Sequence, residues 1–107
     1  MDKYKKIWDE LKTEAKKTNC KKRGVACIIY NKVTKEVVGI GHNNHPDGLC
    51  DCGSTRTALH AEQMAVKNLW GTHNKEDLIA FINHAPCYNC ARVLDTYVSE
   101  VRYRSQD

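Results

Sequence analysis

Leu78-Ile79-Ala80-Phe81-Ile82-Asn83-His84-Ala85-Pro86-Cys87-Tyr88-Asn89-Cys90 is the stretch on which the fold turns. Residues 78–82 are an unbroken apolar run, a strand by composition. Pro86 stands where a helix would begin, because a fixed φ and a missing N–H are harmless at the first helical position. Ala91, Val93, Leu94, Tyr97 and Val98 then supply an apolar helical face, and residues 101–103 read as a short last strand.

Working back from this stretch, residues 59–70 carry Ala61, Met64, Ala65, Val66 and Leu69 in a helical pattern that Gly71 stops. Residues 25–30 are β-branched and apolar with few polar breaks, as in a strand covered on both faces, and 36–41 form a second strand after the turn-like 31–35. The pair reads as a hairpin. Residues 3–17 place Tyr4, Ile7, Trp8, Leu11 and Ala15 at helical spacing among Lys and Glu, an amphipathic helix ending near residue 18, where Thr18, Asn19 and Cys20 are weak helix formers. Residues 41–57 are too polar for either template and read as a functional loop, whereas His73 lies in a polar loop and is expected simply to be exposed. The order α-β-β-α-β-α-β predicts an α/β fold, a small mixed sheet with helices on both faces. No repeat, low-complexity tract or linker interrupts it.

With 107 residues, 41% of them hydrophobic, residues 1–107 are expected to form a single domain around one core without disulfide support. Collagen-like and disordered classes are excluded. The formal charge of +4 suits an anionic partner but equally suits plain solubility. No apolar run approaches a membrane span and the N-terminus is charged where a signal peptide would be apolar, so a cytoplasmic protein with no membrane partner is expected. Six cysteines, at 20, 27, 50, 52, 87 and 90, are better explained there by metal binding than by disulfides. Cys27 lies in an apolar run and reads as a small core residue.

Two fragments carry the chemistry: His60-Ala61-Glu62 at the start of the second helix and Pro86-Cys87-Tyr88-Asn89-Cys90 at the start of the third. Cys-x-x-Cys at a helix start can hold a metal, since both sulfurs lie near N–H groups that stabilise thiolate, and His60 can add a neutral imidazole nitrogen. Three protein ligands with water in the fourth place is the pattern of a catalytic zinc site. A carboxylate must then move protons, and Glu62 is two residues from a ligand.

These fragments resemble the zinc-dependent cytidine and deoxycytidylate deaminase superfamily, whose His-x-Glu and Pro-Cys-x-x-Cys pair they reproduce. The resemblance is closest to deoxycytidylate deaminases, including phage-type ones, through Gly41-His42-Asn43-Asn44-His45-Pro46-Asp47-Gly48. It extends over nearly the whole chain, through Trp8-Asp9, Cys20, the strand near Ala26, His84 and Tyr103. It implies a three-layer α-β-α sandwich of the cytidine deaminase-like type, with Zn2+ on His60, Cys87 and Cys90 and with Glu62 as proton shuttle. The implied reaction is hydrolytic deamination of a cytosine nucleotide, deoxycytidine monophosphate (dCMP) to deoxyuridine monophosphate (dUMP) with release of ammonia. Asn43 matches the sugar-binding residue, Ala61 the segment that contacts the base, and Lys21, Lys22 and Arg23 a basic cluster suited to a 5′-phosphate; Tyr103 is carried over as a further substrate contact. His42 and Asn44 depart from the usual Tyr and Gly of the loop. Relatives continue past the fourth strand into another helix and strand, so the sheet edge is expected to be exposed or covered by another subunit, which favours a homo-oligomer.

Other readings stay open at this level. Cys20, Cys50 and Cys52, with one of His42, His45 or His84, could form a second zinc site. Cys50, Cys52, Cys87 and Cys90 could instead make a structural site needing no Glu62, and Cys87-x-x-Cys90 alone also fits a redox motif. Tyr4, Trp8 and Trp70 could stack on bases, although at helical positions they read better as core anchors. Single-stranded DNA and transfer-RNA deaminases share the zinc motif, so a nucleic-acid partner is the second choice behind a mononucleotide.

Overall fold

The structure, a computed structural model, describes residues 4–17, 24–43, 60–86 and 88–104. The elements run α1 (Lys5–Ala15), β1 (Ala26–Asn31), β2 (Glu36–His42), α2 (Ala61–Lys67), β3 (Leu78–Ile82), α3 (Tyr88–Tyr97) and β4 (Glu100–Tyr103), with a single 3-10 turn, Lys75–Asp77, before β3. This is the expected order.

The strands form one mixed sheet in the order β2-β1-β3-β4. β1 pairs antiparallel with β2 and with β3, and β4 joins β3 in parallel after the α3 crossover. The hairpin turn is built by Asn31, whose Oδ1 accepts the N–H groups of Val33 at 2.9 Å and Thr34 at 3.0 Å. Lys35 closes it with a φ of 61°. A bulge between Ile29 and Tyr30 shifts the register, so that Ile29 faces Gly39 and Tyr30 faces Val37.

Because side chains alternate along a strand, the central strands feed two separate cores. Ala26, Ile28, Ile79 and Phe81 face α1 and pack with Tyr4, Ile7, Trp8 and Leu11. Cys27, Ile29, Leu78, Ala80 and Ile82 face α2 and α3 and pack with Ala61, Ala65, Leu94 and Val98. The result is the three-layer α-β-α sandwich, in which β3 is buried along its whole length.

Two expectations change. The second helix, read over 59–70, is ordered as helix only from Ala61 to Lys67. The chain leaves it to bind the outer edge of β2, where the Asn68 side chain donates to the Ile40 carbonyl at 2.9 Å and the Trp70 N–H to the Val38 carbonyl at 3.0 Å. Those contacts cover an otherwise unpaired edge. They also leave Trp70 53% exposed, so it is no core anchor, whereas Tyr4 and Trp8 are buried in an aromatic cluster around Phe81. His73 is half-buried and bonded at both ring nitrogens, to Asn31 at 3.0 Å and to the Trp70 carbonyl at 2.8 Å, rather than simply exposed.

Candidate active site

The connections of the fold bring the chemistry to one end of the strands. β1 begins there, β2 and β3 end there, and α2 and α3 both start from it: Ala26 is paired with His42, Cys27 with Ile82, and Ile82 with Tyr103. Hence His60, Asn43, His84, the first turn of α3 and Tyr103 lie at the same end of the strands, with Asn43 after β2 and Tyr103 on β4, the two outer strands.

His60 occupies the cap position of α2 in extended conformation, φ −79° and ψ 145°, and its side chain makes no capping hydrogen bond. Its imidazole is therefore not consumed by the helix end. Ala61 and Glu62 follow in the first turn, both buried, at 1% and 4% exposure. A buried carboxylate is expensive unless it has work or partners, and together with Asn31 it is one of two buried polar residues among those described. Cys90, in the first turn of α3, is fully buried.

Cys27 lies beneath this arrangement on the central strand β1. Burial pushes its thiol well above the usual range, and the negative charges of Glu62 and Cys90 push it further in the same direction. It stays a neutral thiol. Glu62 on α2 and Cys90 on α3 thus both act on the one thiol of β1.

Close approach of α2 depends on glycine. A Cβ on Gly41 would stand 2.6 Å from the Ala61 carbonyl oxygen, and one on Gly39 would stand 2.7 Å from that of Ala65. Both glycines face α2 from β2, so the helix backbone rests directly on the strand. Gly41 lies within β2, in the strand expected over 36–41, and it also seats the first turn of α2, which its place before the polar loop does not signal.

Asn43 follows β2 and is half-buried, its Oδ1 accepting the Val25 N–H at 3.1 Å. Asn83, which sequence reading passed over, closes the other side of the same segment through Ala26 and Gly24. A polar Asn directly after the apolar run 78–82 was its only signal. Tyr103 is 57% exposed on β4; its register with Ile82 puts it on the α2–α3 side of the sheet. His42 points to the opposite face, where its Nδ1 lies 2.7 Å from Glu14 Oε2, so it is engaged away from the candidate site. Cys87, Lys21, Lys22, Arg23, His45 and the cysteines Cys20, Cys50 and Cys52 of the second-zinc reading lie outside the described residues.

Among the described residues no group of three metal-binding side chains is assembled; Cys87, third member of the expected set, is not one of those residues. The donors that are described suit zinc: an imidazole unused by its helix end and a buried sulfur, with a buried carboxyl group two residues on from the imidazole.

Residues 1–103 match the family model described as the cytidine and deoxycytidylate deaminase zinc-binding region. Deoxycytidylate deaminase of Saccharomyces cerevisiae is 28% identical over 105 residues, covering 83% of this chain and 33% of the yeast protein. That of Schizosaccharomyces pombe is 24% identical over 127 residues, covering 97% and 39%. The chain thus spans between a third and two-fifths of the length of these curated relatives. Among solved structures, dCMP deaminase of cyanophage S-TIM5 in complex with dCMP and dUMP superimposes with a TM-score of 0.75 at 25% identity, covering 100% of this chain and 86% of that one. Its apo form gives 0.78 at 24% identity.

Proposed function

The chain belongs to the cytidine and deoxycytidylate deaminase family, and from that premise we propose that residues 1–107 act as a single zinc-dependent domain converting dCMP and water to dUMP and ammonia. The observation that carries this reading is the burial of Glu62 in the first turn of a helix that begins at His60 and packs beside the helix bearing Cys90. A structural zinc module has no use for a carboxylate in that place.

In this reading His60, Cys87 and Cys90 hold the zinc, which supplies Lewis acidity and lowers the pKa of a water toward neutrality. Glu62 does the proton work. Its carboxylate takes a proton from the attacking water and delivers it to ring N3, so that oxygen adds to C4 of a base whose ring nitrogen is no longer building negative charge. The same carboxylate then takes the proton of the new C4 hydroxyl and delivers it to the exocyclic nitrogen, the C4–N bond breaks with loss of ammonia, and the C4 carbonyl of dUMP remains. Burial suits this alternation, since in a site closed to solvent the proton passes between fixed partners.

Around that centre, the backbone at Ala61 orients the base and Asn43 hydrogen-bonds the sugar. Lys22 and Arg23, with Lys21, receive the 5′-phosphate, and Tyr103 borders the substrate from β4. A second copy of the chain is the expected partner in solution, and no helix among the described residues is long and apolar enough to cross a membrane.

The test is ammonia release and product mass with zinc-loaded protein on dCMP, CMP, deoxycytidine, cytidine, cytosine and a cytosine-containing oligonucleotide, with Glu62→Ala beside it. Turnover of dCMP that disappears in the variant supports the proposal. Turnover of the oligonucleotide alone moves the protein to polynucleotide editing, and turnover of nothing by folded, zinc-bound protein overturns the enzyme reading.

A further inference from the structure

Two asparagines hold the start of β1 between them. From one side, Asn83 accepts the Ala26 N–H through Oδ1 at 2.8 Å, donates from Nδ2 to the Gly24 carbonyl at 3.0 Å, and donates its own N–H to the Ala26 carbonyl at 3.4 Å. From the other side, Asn43 accepts the Val25 N–H through Oδ1 at 3.1 Å and donates its N–H to the Val25 carbonyl at 3.0 Å. The backbone of residues 24–26 therefore bonds alternately to one asparagine and the other. Shifting one peptide plane in so short an extended segment tilts its neighbours, because φ and ψ are the sole soft torsions.

Asn83 is suited to this as no other small side chain is. It must accept from one residue and donate to a carbonyl two residues earlier, and a carboxamide carries both functions on one rigid plane. Both ends of its side chain are bonded to backbone, the Oδ1 to the first residue of β1 and the Nδ2 to Gly24 just before it, so Asn83 acts on this segment. It also stands at the end of β3, where the chain turns toward Pro86 and Cys87.

We infer that Asn83 is a positioning residue that sets nucleotide affinity through Asn43, by way of the Gly24-Val25-Ala26 backbone that the two share. This rests on the deaminase reading and on Asn43 as the sugar contact. The side chain that would meet the sugar is held by Val25, and Val25 is held in turn by the flanking peptides that Asn83 grips.

The test measures dUMP dissociation constants by calorimetry, KM and kcat for dCMP, zinc content and melting temperature. It compares the wild-type protein with Asn43→Ala, Asn83→Ala, Asn83→Asp and the double variant Asn43→Ala/Asn83→Ala. Asn83→Ala is expected to weaken dUMP binding and raise KM about tenfold while kcat stays within about threefold and zinc is retained. In the Asn43→Ala background the same change should add less than about twofold, because the route it acts through is already gone. Asn83→Asp, which keeps the Ala26 bond and loses the Gly24 bond, should lie between, and serves in place of Asn83→Ala if that variant does not fold. Additive losses in the double variant, or a fall in kcat, zinc and melting temperature with KM unchanged, would overturn the inference and leave Asn83 as a merely structural clamp. Absence of dCMP turnover in the wild type would instead overturn the deaminase reading on which the inference stands.

Discussion

The Ala61 carbonyl oxygen lies 2.6 Å from the point a Cβ on Gly41 would occupy, so the first turn of α2 and the strand β2 meet here backbone to backbone. Neither side can yield by rotating a side chain. Gly41→Ala is therefore expected to destabilise the fold by about 2–3 kcal/mol, in the range of core overpacking, and to displace the first turn of α2. Chemical denaturation should show the loss, and activity should fall further than the unfolded fraction accounts for. Unchanged stability would mean that the helix does not rest on β2 as described.

Glu62→Gln keeps the size of the side chain and removes its ability to cycle a proton. Turnover is expected to drop by at least about a hundredfold, as for the loss of a general acid–base group, with zinc content unchanged. The melting temperature should change little, because the amide matches the buried carboxyl group in size and shape. Retained turnover would remove Glu62 from the mechanism.

On the opposite face, burial tends to raise the carboxyl of Glu14, but hydrogen bonds from His42 at 2.7 Å and Lys17 at 3.0 Å, with their charges, outweigh it and leave the group below its ordinary value of 4.5. A folded-state value below the unfolded one stabilises the protein above about pH 4.5, and this is lost as pH falls through the lower, folded value. Glu14→Gln should accordingly cost about 1 kcal/mol near neutrality. The gap between the two melting curves should close in acid; a gap independent of pH would contradict the pairing.

The Asn31 side chain accepts two turn N–H groups through Oδ1, which leaves Nδ2 to donate to His73 Nδ1 at 3.0 Å. His73 Nε2, facing the Trp70 carbonyl at 2.8 Å, must then carry the ring hydrogen in the neutral form, since a carbonyl can only accept. Nitrogen-15 NMR should report the Nε2–H tautomer for His73. Asn31→Ala, which removes the acceptor of two part-buried turn N–H groups, is expected to cost about 1 kcal/mol; an Nδ1–H tautomer would show that the network is wired differently.

Local pattern made much of this legible. The apolar run 78–82 became β3 with the expected bounds, and Pro86 stands just ahead of α3. The spacing of Ile7, Trp8, Leu11 and Ala15 became the buried stripe of α1, with Tyr4 buried at its cap. Cys27 proved to be the core residue its neighbours suggested, but its proximity to Glu62 and Cys90 could not be read from position 27. Trp70 belonged by spacing to a helix and by structure to the β2 edge, since a hydrogen bond to Val38 outweighs a weak helical tendency at its end.

By itself the sequence determined what depends on neighbours a few residues apart: helix faces, strand runs, turn residues, and the His-x-Glu and Cys-x-x-Cys fragments with their family resemblance. Tertiary structure alone decided that Gly41 seats α2, that His42 faces Glu14 across the sheet rather than the candidate site, and that Asn43 and Asn83 share one backbone segment. The physical reason is that these are hydrogen bonds and contacts between groups far apart in the chain, 57 residues in the case of Ala26 and Asn83. A residue's propensity is set by its own backbone and side chain, and it carries no record of which distant peptide will need its donor or the space it leaves.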